Sequence, residues 1–265
     1  PIMRNKAHNH MQLHNKAGSP NYSLIGYAGE CNFSGRKANQ QCLPHICRQL
    51  HKQHESHTFL TVLDAAKLAG TSKVEIKCTC SKNPDSDLPC MCLPDFIVVS
   101  FYKIFGMPTG LGACLIKNSI HNLLRKKYFG GGTIQQGYAY KAWCVPKPSN
   151  IHSHYEDGTL NFQGIMMAKC GFQFIRTLGG MSLIQQHIHR LWLYMMEKLT
   201  RLKHSSGVRV CEVYNEYSYT NAYSSAKQGG VVVFNVCYSD GSPVGHTQVQ
   251  KLAEKKEIYF RTGIF

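Results

Sequence analysis

The segment Ser100-Phe101-Tyr102-Lys103-Ile104-Phe105-Gly106-Met107-Pro108-Thr109-Gly110 constrains this chain more than any other. It follows the apolar run Phe96-Ile97-Val98-Val99, which reads as a short buried strand bounded by Gly/Pro punctuation. A lysine at the end of such a strand is poorly solvated. Desolvation favours the neutral amine, which can attack a carbonyl. The alternative is a lysine whose stem covers apolar surface while its head stays in water. A second apolar run, Phe59-Leu60-Thr61-Val62-Leu63, ends in the carboxylate Asp64, with Ala65-Ala66 after it. Asp64 is either a buried acid that needs a cationic partner or a turn or helix-cap residue.

Taken together, a carboxylate at one strand end and a lysine at the next suit pyridoxal phosphate (PLP). The lysine would carry the aldehyde, and the acid would keep the pyridine nitrogen protonated, so that the ring accepts electrons. The order of further motifs supports this. Asn32-Phe33-Ser34-Gly35, Leu63-Asp64-Ala65-Ala66, Ser100 to Gly106, Pro108 to Ala113 and Tyr128-Phe129-Gly130-Gly131-Gly132-Thr133 follow one another. Glu156-Asp157-Gly158-Thr159, Leu178-Gly179-Gly180-Met181 and Arg261-Thr262-Gly263 complete the series. From about Asn21 onward the chain resembles the aminotransferase-like domain of the molybdenum cofactor sulfurases, a class-V family related to cysteine desulfurases.

That resemblance implies an α/β fold of the PLP-dependent transferase kind (fold type I, aspartate-aminotransferase-like), with a mostly parallel sheet. It implies a partial large PLP-binding domain over 21–204, a smaller carboxyl-terminal α/β domain over 205–265, and a polar amino-terminal segment over 1–20. The amino-terminal part of the large domain is expected to be missing. The resemblance also assigns roles. Lys103 would hold the cofactor and move the substrate's α-proton. Asp64 would pair with the ring nitrogen and Asn32 with the phenolic oxygen, unless Asn32 forms an Asx turn. Ser100 and Tyr102 would contact the phosphate, Tyr102 standing where many relatives carry histidine. Thr133, after its glycines, would reach the phosphate of a second subunit in a homodimer, unless Gly130–Gly132 is only a flexible turn.

The implied reaction takes sulfur from L-cysteine, leaving alanine, and passes it through an enzyme persulfide to the molybdenum cofactor. The family pattern at the end is Arg-Thr-Gly-Cys-Phe-Cys, whereas this chain reads Arg261-Thr262-Gly263-Ile264-Phe265. Without the persulfide cysteine no thiolate accepts the sulfur, so the chain alone is expected to be inactive. Another PLP-dependent desulfurase or lyase, or a non-catalytic truncated relic, are the competing readings.

Composition narrows the field further. The 265 residues, 43% hydrophobic, suffice for a substantial core. No apolar run approaches a membrane span, and the polar start Pro1–Asn21 lacks a signal peptide's apolar centre. A cytoplasmic location with no membrane partner is expected. The formal net charge of +15 would suit nucleic acid. Its lysines and arginines are scattered, however, and no stacking motif accompanies them. An anionic cofactor and substrate are the expected partners instead. Among 12 cysteines only Cys78-Thr79-Cys80 and Cys90-Met91-Cys92 cluster. Their spacing is narrower than that of usual structural zinc sites, so a reduced insertion loop over 73–94 is expected and no metal.

Periodicity predicts strands over 24–27, 59–63, 96–100, 112–116, 208–214 and 231–238. It predicts helices over 162–178 and 182–203, the second burying Ile184, Ile188, Leu191, Met195, Leu199 and Leu202. Arg125-Lys126-Lys127 is expected on a short helix.

Overall fold

The computed structural model describes residues 21–40, 42–53, 56–76, 93–106, 110–141, 143–148, 150–214 and 225–263. The two C-x-C pairs, Met107-Pro108-Thr109 and Ile264-Phe265 lie outside these residues. The four apolar runs of the first half form one sheet, in the order β1 (Asn21–Ala28), β2 (His57–Asp64), β3 (Phe96–Ser100) and β4 (Gly112–Ile116). The first three strands are parallel, and β4 returns antiparallel to β3. Strand β1 pairs with β2 along its whole length, from Asn21 opposite His57 to Ala28 opposite Asp64. This register brings the carboxyl ends of β1, β2 and β3 to the same edge. In open α/β sheets that edge is where ligands bind.

Helix α1 (Cys42–Gln53) connects β1 to β2. Two one-turn helices, α2 (Leu68–Thr71) and α3 (Tyr102–Phe105), start just beyond β2 and β3. Leu63, Ala65, Leu68 and Ile97 form the first core. After β4 come the hairpin β5 (Ile134–Gly137) and β6 (Cys144–Pro146), then α4 (Ile151–Tyr155), α5 (Phe162–Thr177) and α6 (Met181–Arg201). A third sheet pairs β7 (Cys211–Val213) with β8 (Phe234–Val236), and α7 (His246–Glu254) follows. The second core joins α6 to β7 through Trp192, Met196, Cys211 and Val213. No helix among the described residues is long and apolar enough to cross a membrane.

Several expectations change in detail. Helix α6 buries Trp192 and Met196, whereas Leu191 and Met195 are exposed, so the buried stripe lies one residue round from the predicted face. Trp192 sets this orientation: its indole Nε1 donates to the Val231 carbonyl at 2.9 Å while its ring fills the core. Strands β7 and β8 are shorter than the predicted 208–214 and 231–238. Arg125-Lys126-Lys127 is not helical but follows a 3₁₀ turn at His121–Leu123.

Candidate active site

Three loops at the carboxyl edge of the sheet carry the predicted site residues. Asn32 follows β1, Asp64 closes β2, and Lys103 lies in α3 just past β3. Asn32, Tyr102 and Lys103 line one cavity of about 950 Å³, which His246 and Arg261 also line.

The aromatic residues around Lys103 account for its placement. Phe101 and Phe105 are four apart and stack on each other at 5.8 Å between ring centres. Both meet the edge of Phe172 in α5, at 5.9 and 5.2 Å. Gly171 leaves room for them, since a Cβ there would stand 2.5 Å from the Phe105 ring. With this face of α3 held against α5, the neighbouring Tyr102 and Lys103 side chains are left for the cavity. Gly106 ends the helix in the left-handed conformation, at φ 70°. From the other side α2 packs so closely that a Cβ on Gly70 would run into the Lys103 carbonyl.

The strand-end lysine is therefore not buried as the sequence predicts. Lys103 is exposed to the cavity, its Nζ 5.9 Å from the centre of the Tyr102 ring, and Val98 in the preceding strand is also exposed. Asp64 is exposed too, and its Oδ1 accepts from the Ala66 amide at 2.9 Å. This is the turn role, and it occupies one oxygen only. Among the described residues Asp64 has no ion-pair partner. Asn32 forms no Asx turn. The Cys31 Sγ does that work, accepting from the Ser34 amide at 3.4 Å, and the Asn32 side chain is left toward the cavity. Burial pushes the Cys31 thiol up, but the hydrogen bonds from Ser34 and Phe33 outweigh it and the pKa falls below the usual thiol value.

Asp64, Ser100 and Thr133 are not on the cavity wall. Ser100 ends β3 opposite Gly112, half-buried and off the cavity wall. Thr133 is fully buried. Its hydroxyl lies 2.7 Å from Asp157 Oδ1 and 3.0 Å from the Gly130 carbonyl, and accepts from Lys126 at 3.2 Å. The glycine run is not a loose turn. The Gly130 amide donates to Asp157 Oδ1 at 2.6 Å, and Cβ atoms on Gly130 or Gly132 would fall within 3 Å of Asp157.

Sequence reasoning missed a polar group beside the cavity: Glu30, Lys67 and Thr71. Thr71 Oγ1 donates to Glu30 Oε2, and Lys67 Nζ lies 3.8 Å from Oε1. Lys67 and Thr71 line the same cavity as Lys103. The available signals were a charged residue just before the Asn32 motif and another just after Leu63-Asp64-Ala65-Ala66.

Comparison with known proteins extends this picture. The chain matches the family Aminotransferase class-V over residues 3–263. It is 35% identical to the molybdenum cofactor sulfurase of Danio rerio over 98% of this chain, and 36% identical to that of Oryza sativa subsp. japonica over 92%. It spans only 30% and 28% of those relatives' own lengths. Among solved structures it is similar to the apo cysteine desulfurase of Thermococcus onnurineus NA1, with a TM-score of 0.64 and 22% identity over 89% of this chain and 48% of that one. A C-DES mutant with glycine covalently linked to its PLP cofactor gives a TM-score of 0.65 at 18% identity, over 90% of this chain and 52% of that one.

Proposed function

The chain belongs to the aminotransferase class-V family, and on that premise we propose that it is the PLP-binding part of a molybdenum cofactor sulfurase, acting on L-cysteine. The observation that carries this reading is the convergence of Asn32, Asp64 and Lys103 on one sheet edge, two of them on the wall of a cavity of about 950 Å³. The residues present fit the cofactor. Lys103 offers an exposed primary amine to the cavity, and Asp64 offers a carboxylate oxygen that no cation among the described residues has taken.

Bound there, PLP supplies an aldehyde for amines and a pyridinium ring that accepts electron density from the substrate. The chain's own residues do the rest. Lys103 Nζ would hold the cofactor and would move the proton at the substrate Cα. Asp64 keeps the ring nitrogen charged. Asn32 would orient the ring through its phenolic oxygen, and Tyr102 would contact the phosphate, whereas Ser100 lies off the cavity wall. Arg261 brings a planar cation to the same cavity, suited to a substrate carboxylate. Thr133 and the Gly130 and Gly132 amides are engaged within their own chain, so a contact from this turn to a second subunit's phosphate would fall to the Gly131 amide. We place the boundary of the smaller domain at His204–Gly207, where the chain turns between the bridged residues Lys203 and Arg209. The sulfurase relatives in sequence support this reading, and the desulfurase-like fold is compatible with it.

The test is to incubate the chain with PLP, reduce with borohydride and map the labelled peptide by mass spectrometry. Label confined to Lys103, and lost in Lys103→Ala, is the expected outcome. Label scattered over surface lysines would overturn the reading.

A further inference from the structure

Glu30 is a carboxylate in a place where carboxylates are rarely found. The residue is 3% exposed and its side chain is sealed from solvent. Gly229 closes over it, since any Cβ at that position would collide with Oε1. Thr71 satisfies Oε2, but Oε1 has no hydrogen-bond partner. An ion so enclosed costs several kcal/mol unless a counter-charge stands close. Lys67, 3.8 Å away, is its ion-pair partner. Lys37 adds its field from further off, with its own Nζ donating to the Ser225 carbonyl at 2.9 Å.

Lys67 does more than neutralise Glu30. Its Nζ donates to the carbonyls of Cys31 and Asn32, each at 3.3 Å. Those carbonyls lie in the turn that carries the Asn32 side chain to the cavity. Lys67 itself is anchored three residues past Asp64, and the helix it introduces presses Gly70 on the Lys103 carbonyl. One ammonium thus joins the loops of β1 and β2, and through α2 it reaches that of β3.

The geometry points to Lys67 as a positioning residue: countered by buried Glu30, its ammonium grips the Cys31–Asn32 backbone and so sets the Asn32 side chain on the cavity wall. The part played by Asn32 rests on the cofactor reading above. Burial holds the Lys67 ammonium below its usual pKa and the Glu30 carboxyl above its own, while each opposes the other's shift. The pair is thus held together by proximity inside a poorly solvated pocket.

Two measurements test this on the variants Lys67→Met, Lys67→Arg and Lys67→Met/Glu30→Gln. The first is PLP affinity by titration of the visible absorption band. The second is amide hydrogen exchange without cofactor, followed at Cys31 and Gly35, whose amides close the turn on the Arg36 and Cys31 carbonyls at 2.9 Å. Lys67→Met is expected to weaken PLP binding and to speed exchange at these two amides, each by about tenfold or more, with β2 and α6 unchanged. Lys67→Arg restores both, because it keeps a donor cation in place. The double variant, which removes the stranded carboxylate charge, recovers melting temperature but not affinity. Wild-type exchange in Lys67→Met, or recovery of affinity in the double variant, would overturn the inference. If the unsubstituted chain takes up no PLP, the functional proposal fails, and the exchange rates alone decide the role of Lys67.

Discussion

Asp157 shows how a single side chain can organise a run of glycines. Its carboxylate accepts from Lys126 at 2.6 Å, from Thr133 at 2.7 Å and from the Gly130 amide at 2.6 Å. The Lys126 hydrogen bond, with those of Thr133 and Gly130 behind it, holds its pKa down at about 2 against an ordinary 3.8. A depressed carboxylate pKa means that the unfolded chain binds the proton more readily than the folded one. The group's contribution to stability is therefore complete above about pH 4 and is lost as pH falls from there toward 2. Asp157→Asn should flatten the acid-unfolding curve in that window and lower stability at neutral pH, as followed by circular dichroism. Residue-level reading of the sequence singles out Lys103, Asp64 and Asn32 because each stands beside an apolar run or a distinctive motif. It could not find the partner of Thr133, which lies 24 residues further on and depends on how two loops meet.

The short helix α3 is an element that exists only because of its neighbours. Four residues cannot hold a helix in water. Phe101 and Phe105 hold this one against Phe172, with Gly171 left bare to admit the ring. Gly171→Ala would force the Phe105 ring aside, an overpacking that costs about 1–3 kcal/mol. The expected result is loss of Lys103 labelling by PLP and borohydride while the far-ultraviolet helical signal stays near that of the unsubstituted chain. Strands β3 and β4 were legible to the residue, because an apolar run between turn signals leaves little choice of bounds. The face of α6 was not. Its leucines and methionines recur often enough to suggest more than one stripe, and the preference of one indole N–H for the Val231 carbonyl chooses between them.

At the scale of the molecule, two separate cores support one cavity. The first lies under the parallel strands, and the second joins α6 to the β7–β8 hairpin. Met196 is fully buried at the centre of the second. Met196→Ala should destabilise the protein by about 2–5 kcal/mol, read as a lower urea midpoint with little change in slope. The parallel arrangement was legible from strands alternating with helices, whereas the joining of the 30s turn to the 225–229 segment was not. That joint depends on Gly229 lying against Glu30, a packing relation with no local signature. It also has a consequence for how the protein is made. Lys103 and Arg261 line one cavity but leave the ribosome at different times. At about 5–20 residues per second, roughly ten to thirty seconds of synthesis separate them. Until the segment around Arg261 emerges, the nascent sheet carries Lys103 without part of the lining of its cavity. The cavity is therefore finished only when this later segment folds back on the earlier sheet, so its volume belongs to no early folding unit.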